Sequence, residues 1–553
     1  MKKKLLILTL SACLALGAIG LAGCGADESE VIAGCQNGNF AGVVDEDTGV
    51  LAFKGIPYAK PPTGDLRWKA PQAPEDSDET FEAKEFGKTA TQYYWHSEPA
   101  GANEAGVGED CLTLNVWTAD LETTDKPVMV YIHGGGFGWG GTADPLYNGA
   151  TIVEQHEDVI VVSMNYRLGM FGSIDFSNVE GGEAFPDSKN LSMLDLMQGL
   201  TWVQENIEAF GGDPDNITIF GESAGGAYTS LLTASPEAQG LFHRAIAESG
   251  SLNLTENQAS LDEIALAETL LDVTGSENMD DLMAISEEEL VRIYTEEAVD
   301  DEGNTLNDLC HKPFRGDDII PDDPYQSLRD GVGADIDLMI GTNADEWRYW
   351  INEMGDVEMS EMDEAGIEEN MESYEGFIKT TKYDAAYTAA ADSPENTANL
   401  DAFFELEQIK NLDEIWQNTE LANETAFRMP AIETASAHAE GGGDTYMYYF
   451  DIPSDNFDFM GACHASEVAY VFHNEEETGF SGTVDVDIAD QICEAWVNFA
   501  KTGDPSVGNI EWTKYDTTDR NTMVMTRDGL RMESDPLGDQ RELLQPFALY
   551  YLK

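Results

Sequence analysis

Residues Asn216 to Leu232 read NITIFGESAGGAYTSLL, and no other stretch restricts the fold so tightly. Ile217 to Phe220 is a short apolar run with the character of a buried strand. Gly221-Glu222-Ser223-Ala224-Gly225 follows without a spacer, and small residues and helix formers continue to Leu232. Strand, G-x-S-x-G and helix in immediate succession is the pattern of a nucleophile elbow, a turn so tight that side chains at Gly221 and Gly225 would clash. It lifts the serine hydroxyl above a sheet and aims a helix N-terminus at the reacting group. In a chain with 52 glycines among 553 residues, roughly 0.3 chance matches to the pentapeptide are expected. An idle serine on a Gly-rich turn is therefore the alternative that the rest of the chain has to exclude.

A serine nucleophile needs a base, and the base needs an orienting acid; in this context the chain order is Ser, acid, His. Of the eight histidines, His96, His133 and His156 precede Ser223. His243 is too close to leave room for an acid-bearing strand, and His311 precedes the best acid candidates. His438 lies in an Ala-rich, helix-like run and reads as a surface residue. His473 follows an apolar run and reads as structural. His464, in a small-residue loop soon after the strand-like TYMYYF, is left as the base. Asp345 and Glu346 directly follow the strand-like run Ile336–Gly341. Being adjacent, one faces the site and the other does not, and spacing does not choose between them. His133-Gly134-Gly135-Gly136 closes the apolar run Pro127–Ile132. Successive glycines let backbone N–H groups converge on one point, forming an oxyanion hole with the N–H of Ala224. A phosphate loop would need a following Gly-Lys-Ser/Thr, which is absent.

Apolar runs alternate with helical patterns such as Leu194–Phe210, which predicts an α/β protein with a mostly parallel central sheet covered by helices. Acidic helices are expected near Leu261–Leu271 and Asp280–Thr295, a helical insertion over 355–430, and a last edge strand at Thr522–Thr526. No repeat or linker separates two cores, so residues 39–553 read as one domain. The balance of 105 acidic against 29 basic residues, net -76, repels nucleic acid and anionic lipid surfaces. It disfavours anionic substrates and favours neutral or cationic ones.

Lys2–Lys4 and the apolar Leu5–Ile19 form a signal peptide, and Leu21-Ala22-Gly23-Cys24 resembles the lipobox of bacterial lipoproteins. Cleavage after residue 23 and lipidation of Cys24 are expected, with residues 24–38 as a tether to the outer face of the membrane; plain secretion is the alternative. Cys13 leaves with the signal. Cys35, Cys111, Cys310, Cys463 and Cys493 are scattered without metal-ligand spacing and allow at most two disulfides.

The segments FKGIPYAKPPTGDLRW, EDCLTLNVW, HGGGF, NYRLG, GGDPDNITIFGESAGG, GTNADEW, GACHASE and WVNFAKTGDP closely resemble the type-B carboxylesterase family, which includes para-nitrobenzyl esterases and cholinesterases. The resemblance runs from about Phe40 to the C-terminus. It implies an α/β-hydrolase fold with large helical insertions, a deep gorge, hydrolysis of carboxylic esters, and no metal or organic cofactor. It implies Ser223 as nucleophile, His464 as base, Glu346 rather than Asp345 as acid, and the N–H groups of Gly135, Gly136 and Ala224 as the oxyanion hole. It also implies structural ion pairs Arg67–Glu109 and Arg167–Asp195.

The chain departs from the family in three places. No cysteine lies between Cys35 and Cys111, so Cys111 is expected free and the loop around Tyr93-Tyr94-Trp95 looser. Trp347 and Ala465 stand where the family usually has glycine, Trp347 narrowing the gorge or repacking its wall. Substrate preference and oligomeric state stay open. The rival functions are a non-catalytic surface adhesion or binding protein on the same fold, and an amidase or peptidase using the same triad. Cys463, beside the histidine, has no elbow to act from.

Overall fold

The computed structural model describes residues 31–45, 48–92, 105–295, 306, 312–353, 364–381, 393–456 and 459–548. The expected signal peptide, Cys24, Cys310, His96, His311 and Tyr93–Trp95 lie outside them. Among the described residues the main sheet has thirteen strands, of which Thr80–Glu82 pairs only with β2 and twelve run in one path: β1 (Val31–Cys35), β2 (Gly38–Val44), β3 (Leu51–Pro57), β4 (Thr113–Thr118), β5 (Lys126–Ile132), β6 (Ile160–Met164), β7 (Gly212–Glu222), β8 (Arg244–Glu248), β9 (Asp337–Asn343), β10 (Thr445–Asp451), β11 (Asn521–Thr526) and β12 (Gly529–Ser534). Their spatial order is β1-β2-β3-β4-β6-β5-β7-β8-β9-β10-β11-β12. From β6 to β11 every neighbouring pair is parallel. Antiparallel strands extend both ends.

The continuous apolar runs of the inner strands fit a sheet buried on both faces. Along β7, Ile217 and Ile219 enter one core, with helices Leu191–Asn206 and Ala224–Ala234. Phe220 faces the opposite core, with helix Val486–Thr502. Helices Glu364–Thr381, Pro394–Phe404 and Glu414–Asn423 form the expected insertion, and Met429–Glu440 follows it, packed on the main core. Part of it packs on the loop after β9, where Tyr374, Ile378 and Ala422 meet Trp347 and Ile351. Among the described residues no helix is long and apolar enough to cross a membrane.

Four local expectations are corrected. Val31–Cys35, assigned to the tether, pairs with β2 in a tight hairpin. Thr522–Thr526 is not the edge, because β12 returns antiparallel beside it. The two acidic helices are each broken: Gln258–Ile264 and Leu266–Thr274 are separated by Ala265 at φ 53°. Met279–Met283 and Glu287–Thr295 are separate because Ser286 Oγ caps the second, accepting from Glu289 N at 3.2 Å. His438 is in the expected helix but is buried, with Nδ1 2.8 Å from Thr445 Oγ1 and Nε2 3.1 Å from Gly333 O. His473 is buried against Asp490 at 2.7 Å, a structural position.

The buried ion pairs form as expected, Arg67–Glu109 at 2.7 Å and Arg167–Asp195 at 2.6 Å. Each pairs one charge with one counter-charge and adds hydrogen bonds, which a buried ion requires. Cys35, Cys111, Cys463 and Cys493 are free thiols.

Candidate active site

In a parallel sheet the crevice beyond the carboxyl ends of the strands is where loops converge. Four loops do so here, after β5, β7, β9 and β10. Ser223 follows β7 at φ 59°, ψ -120°, a strained conformation for a residue with a Cβ. Neighbouring glycines make the strain sustainable. A Cβ at Gly225 would stand 1.9 Å from Ile132 O, one at Gly226 2.4 Å from Glu248 O, and one at Gly221 2.4 Å from Ile132 O. Ser223 N donates to Glu248 O at 2.8 Å, tying the elbow to β8.

The glycine loop lies against this turn. A Cβ at Gly134 would stand 2.8 Å from Glu222 O and 3.1 Å from Ser223 Cβ, so glycine lets the loop lie this close to the elbow. Gly135 and Gly136 adopt φ 110° and 56°, and a Cβ at Gly135 would collide with Trp139 O. The buried His133 anchors the loop, its ring stacked on Tyr166 at 4.5 Å and its backbone carbonyl accepting from Tyr166 Oη at 2.7 Å. Burial pulls His133 down to about 4, so this ring is neutral. Among the described residues, the N–H groups of Gly135, Gly136 and Ala224 donate to no protein acceptor.

His464 and Glu346 come together from loops after β10 and β9, with Nδ1 2.5 Å from Glu346 Oε2. Glu346 is completely buried, and its Oε1 accepts from Asn343 N at 2.8 Å. Asp345 points elsewhere: its carboxylate accepts from Ala462 N at 2.9 Å and pairs with Arg348 at 2.6 Å. The geometry thus separates two neighbours that spacing could not.

The other imidazole nitrogen reveals a residue the sequence reading passed over. His464 Nε2 lies 3.1 Å from Glu222 Oε1, off-line for a hydrogen bond, and makes no hydrogen bond to Ser223 Oγ. Glu222 is the second residue of the G-x-S-x-G pentapeptide, and an acid ending a buried strand was its only signal. Glu467 adds a further buried carboxylate, held by Asn343 Nδ2 and by Ser249 Oγ at 3.3 Å. Burial pushes the carboxyls of Glu222 and Glu467 up, and lifts Glu248 well above the usual range. Burial disfavours charge on His464 too, but Glu222, Glu346 and Glu467 together outweigh it and hold the imidazole at about 9.

Aromatic rings enclose the imidazole: Phe427 at 5.0 Å, Trp350 at 5.3 Å and Tyr349 at 5.7 Å. Phe427 reaches it from a π-helical turn, Glu424–Arg428, in the insertion. Trp347 is buried behind this wall, stacked on Trp350 at 4.4 Å, with its backbone N–H donating to Asn423 Oδ1 at 2.8 Å. Of the two expectations for Trp347, it repacks the wall. Ala465 takes the usual glycine's place in a left-handed conformation, φ 64°.

Ser223, His464, Gly135 and Gly136 line one cleft of about 1010 Å³, open to solvent. Trp139, Tyr147, Tyr349, Trp350 and Phe480 supply its apolar surface, and Asp144, Glu222 and Glu477 its carboxylates; among the described residues no lysine or arginine lines it. Cys463 is no rival nucleophile, because burial pushes its thiol up to about 12 and its sulfur contacts Ser466 Oγ at 3.2 Å.

Residues 29–542 match the profile of the carboxylesterase family. The chain is 34% identical over 519 residues to a para-nitrobenzyl esterase of Bacillus subtilis, covering 92% of this chain and 98% of that one. It is 30% identical to an acetylcholinesterase of Danio rerio, covering 87% and 81%. A solved PNB esterase superposes with a TM-score of 0.74 at 32% identity, over 93% of this chain and all of that one. A Geobacillus stearothermophilus carboxylesterase gives 0.74 at 31% identity, over 93% and 99%.

Proposed function

The chain belongs to the carboxylesterase family and is a carboxylic ester hydrolase with an α/β-hydrolase fold, and from that premise we propose that Ser223, His464 and Glu346 are its catalytic triad. The observation that carries this reading is the Glu346–His464 contact, with His464 lining the same cleft as Ser223. His464 Nε2 turns from Glu222 to Ser223 and takes the hydroxyl proton as Oγ attacks the ester carbonyl. Glu346 keeps the other ring proton on Nδ1, and Glu222 joins it in stabilising the imidazolium. The tetrahedral oxyanion lies on the N–H groups of Gly135, Gly136 and Ala224, each worth about 3 kcal/mol. Collapse expels the alcohol, protonated by His464, and leaves an acyl group on Ser223. Water then attacks with His464 as base, releasing the acid and restoring the hydroxyl.

The ring-lined cleft fits esters bearing an aryl or benzyl group, the class named in the para-nitrobenzyl esterase relative. Its charge favours neutral and cationic alcohols over anionic ones. Burial raises the Asp144 carboxyl, the nearby Glu477 carboxylate adds to this, and among the described residues no lysine or arginine lines the cleft to offset them. A panel of benzyl acetates carrying a trimethylammonium, a hydrogen or a carboxylate tests this, with the matching benzyl amides beside them. The cationic ester is expected to have the highest kcat/KM and the carboxylate the lowest, by about tenfold overall at low salt, narrowing as salt rises. Equal values for the three esters would remove the charge preference. Faster turnover of the amides would favour the amidase reading, and turnover of neither class the adhesion reading.

We also propose that residues 1–23 are cleaved and Cys24 is lipidated, holding the enzyme on the outer face of the bacterial membrane. The basic n-region, short apolar run and LAGC ending support this. Cys24→Ser is expected to move the activity from the membrane fraction to the soluble one; an unchanged distribution would refute the anchor.

A further inference from the structure

The chain enters the described fold at Val31, and the register of the sheet fixes the height of that point. Val31 stands opposite Gly42 of β2, where a Cβ would lie 2.8 Å from Ala52 O of β3. From Ala52 one row of paired residues crosses the sheet through Trp117, Val161 and Met129 to Thr218. Val161 is the second residue of β6, so this row runs near the N-terminal ends of the parallel strands. Thr218 precedes Ser223 by five residues, about 17 Å of strand rise. The far end of β1 lies equally low. Gln36 N donates to Asn206 Oδ1 at 2.9 Å, at the C-terminus of helix Leu191–Asn206, the end that leads into β7. The path from β3 to β7 also covers four strand spacings, about 19 Å, with β2 and β1 beyond it. Val31 therefore lies about 25 Å or more from Ser223, at the end of the sheet opposite the crevice.

Six residues, Gly25 to Glu30, separate Cys24 from Val31. Their contour length is at most about 25 Å, and the average span of such a segment is shorter. A bilayer holding a lipid on Cys24 is therefore close to the N-terminal ends of the strands. Turning the cleft onto that bilayer would raise Val31 above it by the 17 Å or so of strand rise and by the depth of the cleft. The chain from Cys24 would then have to climb the side of the protein as well. The charge at the cleft opposes the same orientation. Glu475, Glu476 and Glu477 are an exposed run of carboxylates, and Glu477 also lines the cleft. Pressing them against anionic headgroups is unfavourable.

We propose that the anchored enzyme holds its cleft away from the bilayer and acts on esters dissolved in the external medium, not on acyl esters of the membrane that carries it. The inference rests on the lipidation of Cys24 proposed above. It narrows the substrate class by position, independently of what the aromatic wall accepts.

The test uses the full-length lipidated protein on phosphatidylcholine vesicles, which carry no net charge, so repulsion does not decide the outcome. One aryl acetate is linked to a lipid headgroup through a short or a long polyethylene glycol spacer, reaching about 10 Å or about 60 Å from the surface. The long-spaced ester is expected to be hydrolysed at least about tenfold faster than the short-spaced one. Inserting forty Gly and Ser residues after Ala26 keeps the lipid and frees the cleft to turn, so the ratio should fall to within about threefold. Equal rates on the two spacers for the unaltered protein, or a ratio that the insertion leaves unchanged, would overturn the orientation. Flotation with the vesicles separates the two readings. A protein that does not float has no anchor, and the inference falls with it; one that floats and hydrolyses both esters equally keeps the anchor and loses the orientation.

Discussion

Ser223→Ala is expected to reduce kcat for a p-nitrophenyl ester by roughly 10⁴- to 10⁶-fold, while the fold stays intact. Alanine keeps the Cβ that the elbow already accommodates at φ 59°. It removes a hydroxyl that makes no hydrogen bond within the protein among the described residues. The backbone ties that shape the turn, Ser223 N to Glu248 O and Ala227 N to Ser223 O, do not involve the side chain. The midpoint of thermal unfolding should therefore move by less than about 1 °C. What disappears is the acyl-enzyme, so a fluorophosphonate that labels the unaltered protein at one equivalent should leave the variant unlabelled. Residual hydrolysis above the uncatalysed rate would come from the oxyanion hole alone. Near-normal turnover in the alanine variant would place the nucleophile elsewhere and sink the assignment.

The parts of this site that could be read from the sequence are those fixed by local rules. The elbow combines an apolar strand, two glycines that backbone contacts require and a helix of small residues, all within seventeen positions. The HGGG loop carries its own signature, because side chains there would strike Trp139 and the Glu222 carbonyl. What could not be read depends on where distant segments meet. Glu222 lies beside the nucleophile in sequence, yet only the arrival of the β10 loop gives its carboxylate an imidazole to face. Phe427 reaches His464 from a π-helical turn inside an insertion with no periodic signal of its own. The burial of His438 follows from β10 and the loop at Gly333 closing over an otherwise polar helix end. The break at Ala265 is one residue long and that before Glu287 only three, inside patterns that remain amphipathic across them.

Glu346→Gln tests the acid that the sequence reading took from resemblance, and its expected cost is about 10⁴-fold in kcat. The reason is a question of which atom faces the imidazole. Asn343 N donates to Oε1 of Glu346, so in glutamine the carbonyl oxygen is retained there. The amide nitrogen must then face His464 Nδ1, which now carries the glutamate oxygen at 2.5 Å. An N–H donor at that position makes Nδ1 an acceptor and moves the ring proton to Nε2, the nitrogen that has to receive the serine proton. Asp345→Asn should cost no more than a few-fold, because asparagine can still accept from Ala462 N and what it loses is the charge pair with Arg348, which lies outside the His464–Glu346 contact. The pH profile separates a role in catalysis from one in folding. The base works unprotonated, and the surrounding carboxylates raise the pH at which it loses its proton, holding it at about 9. Activity should therefore fall with decreasing pH on a limb above the ordinary imidazole value. Removing the charge of Glu346 takes away one of the groups that raise it. The residual kcat/KM of Glu346→Gln should thus titrate at lower pH than that of the unaltered enzyme, while Asp345→Asn leaves the limb in place. If Asp345→Asn instead lost turnover and moved the limb, the acid would be Asp345, and the contact between Glu346 and His464 would be structural.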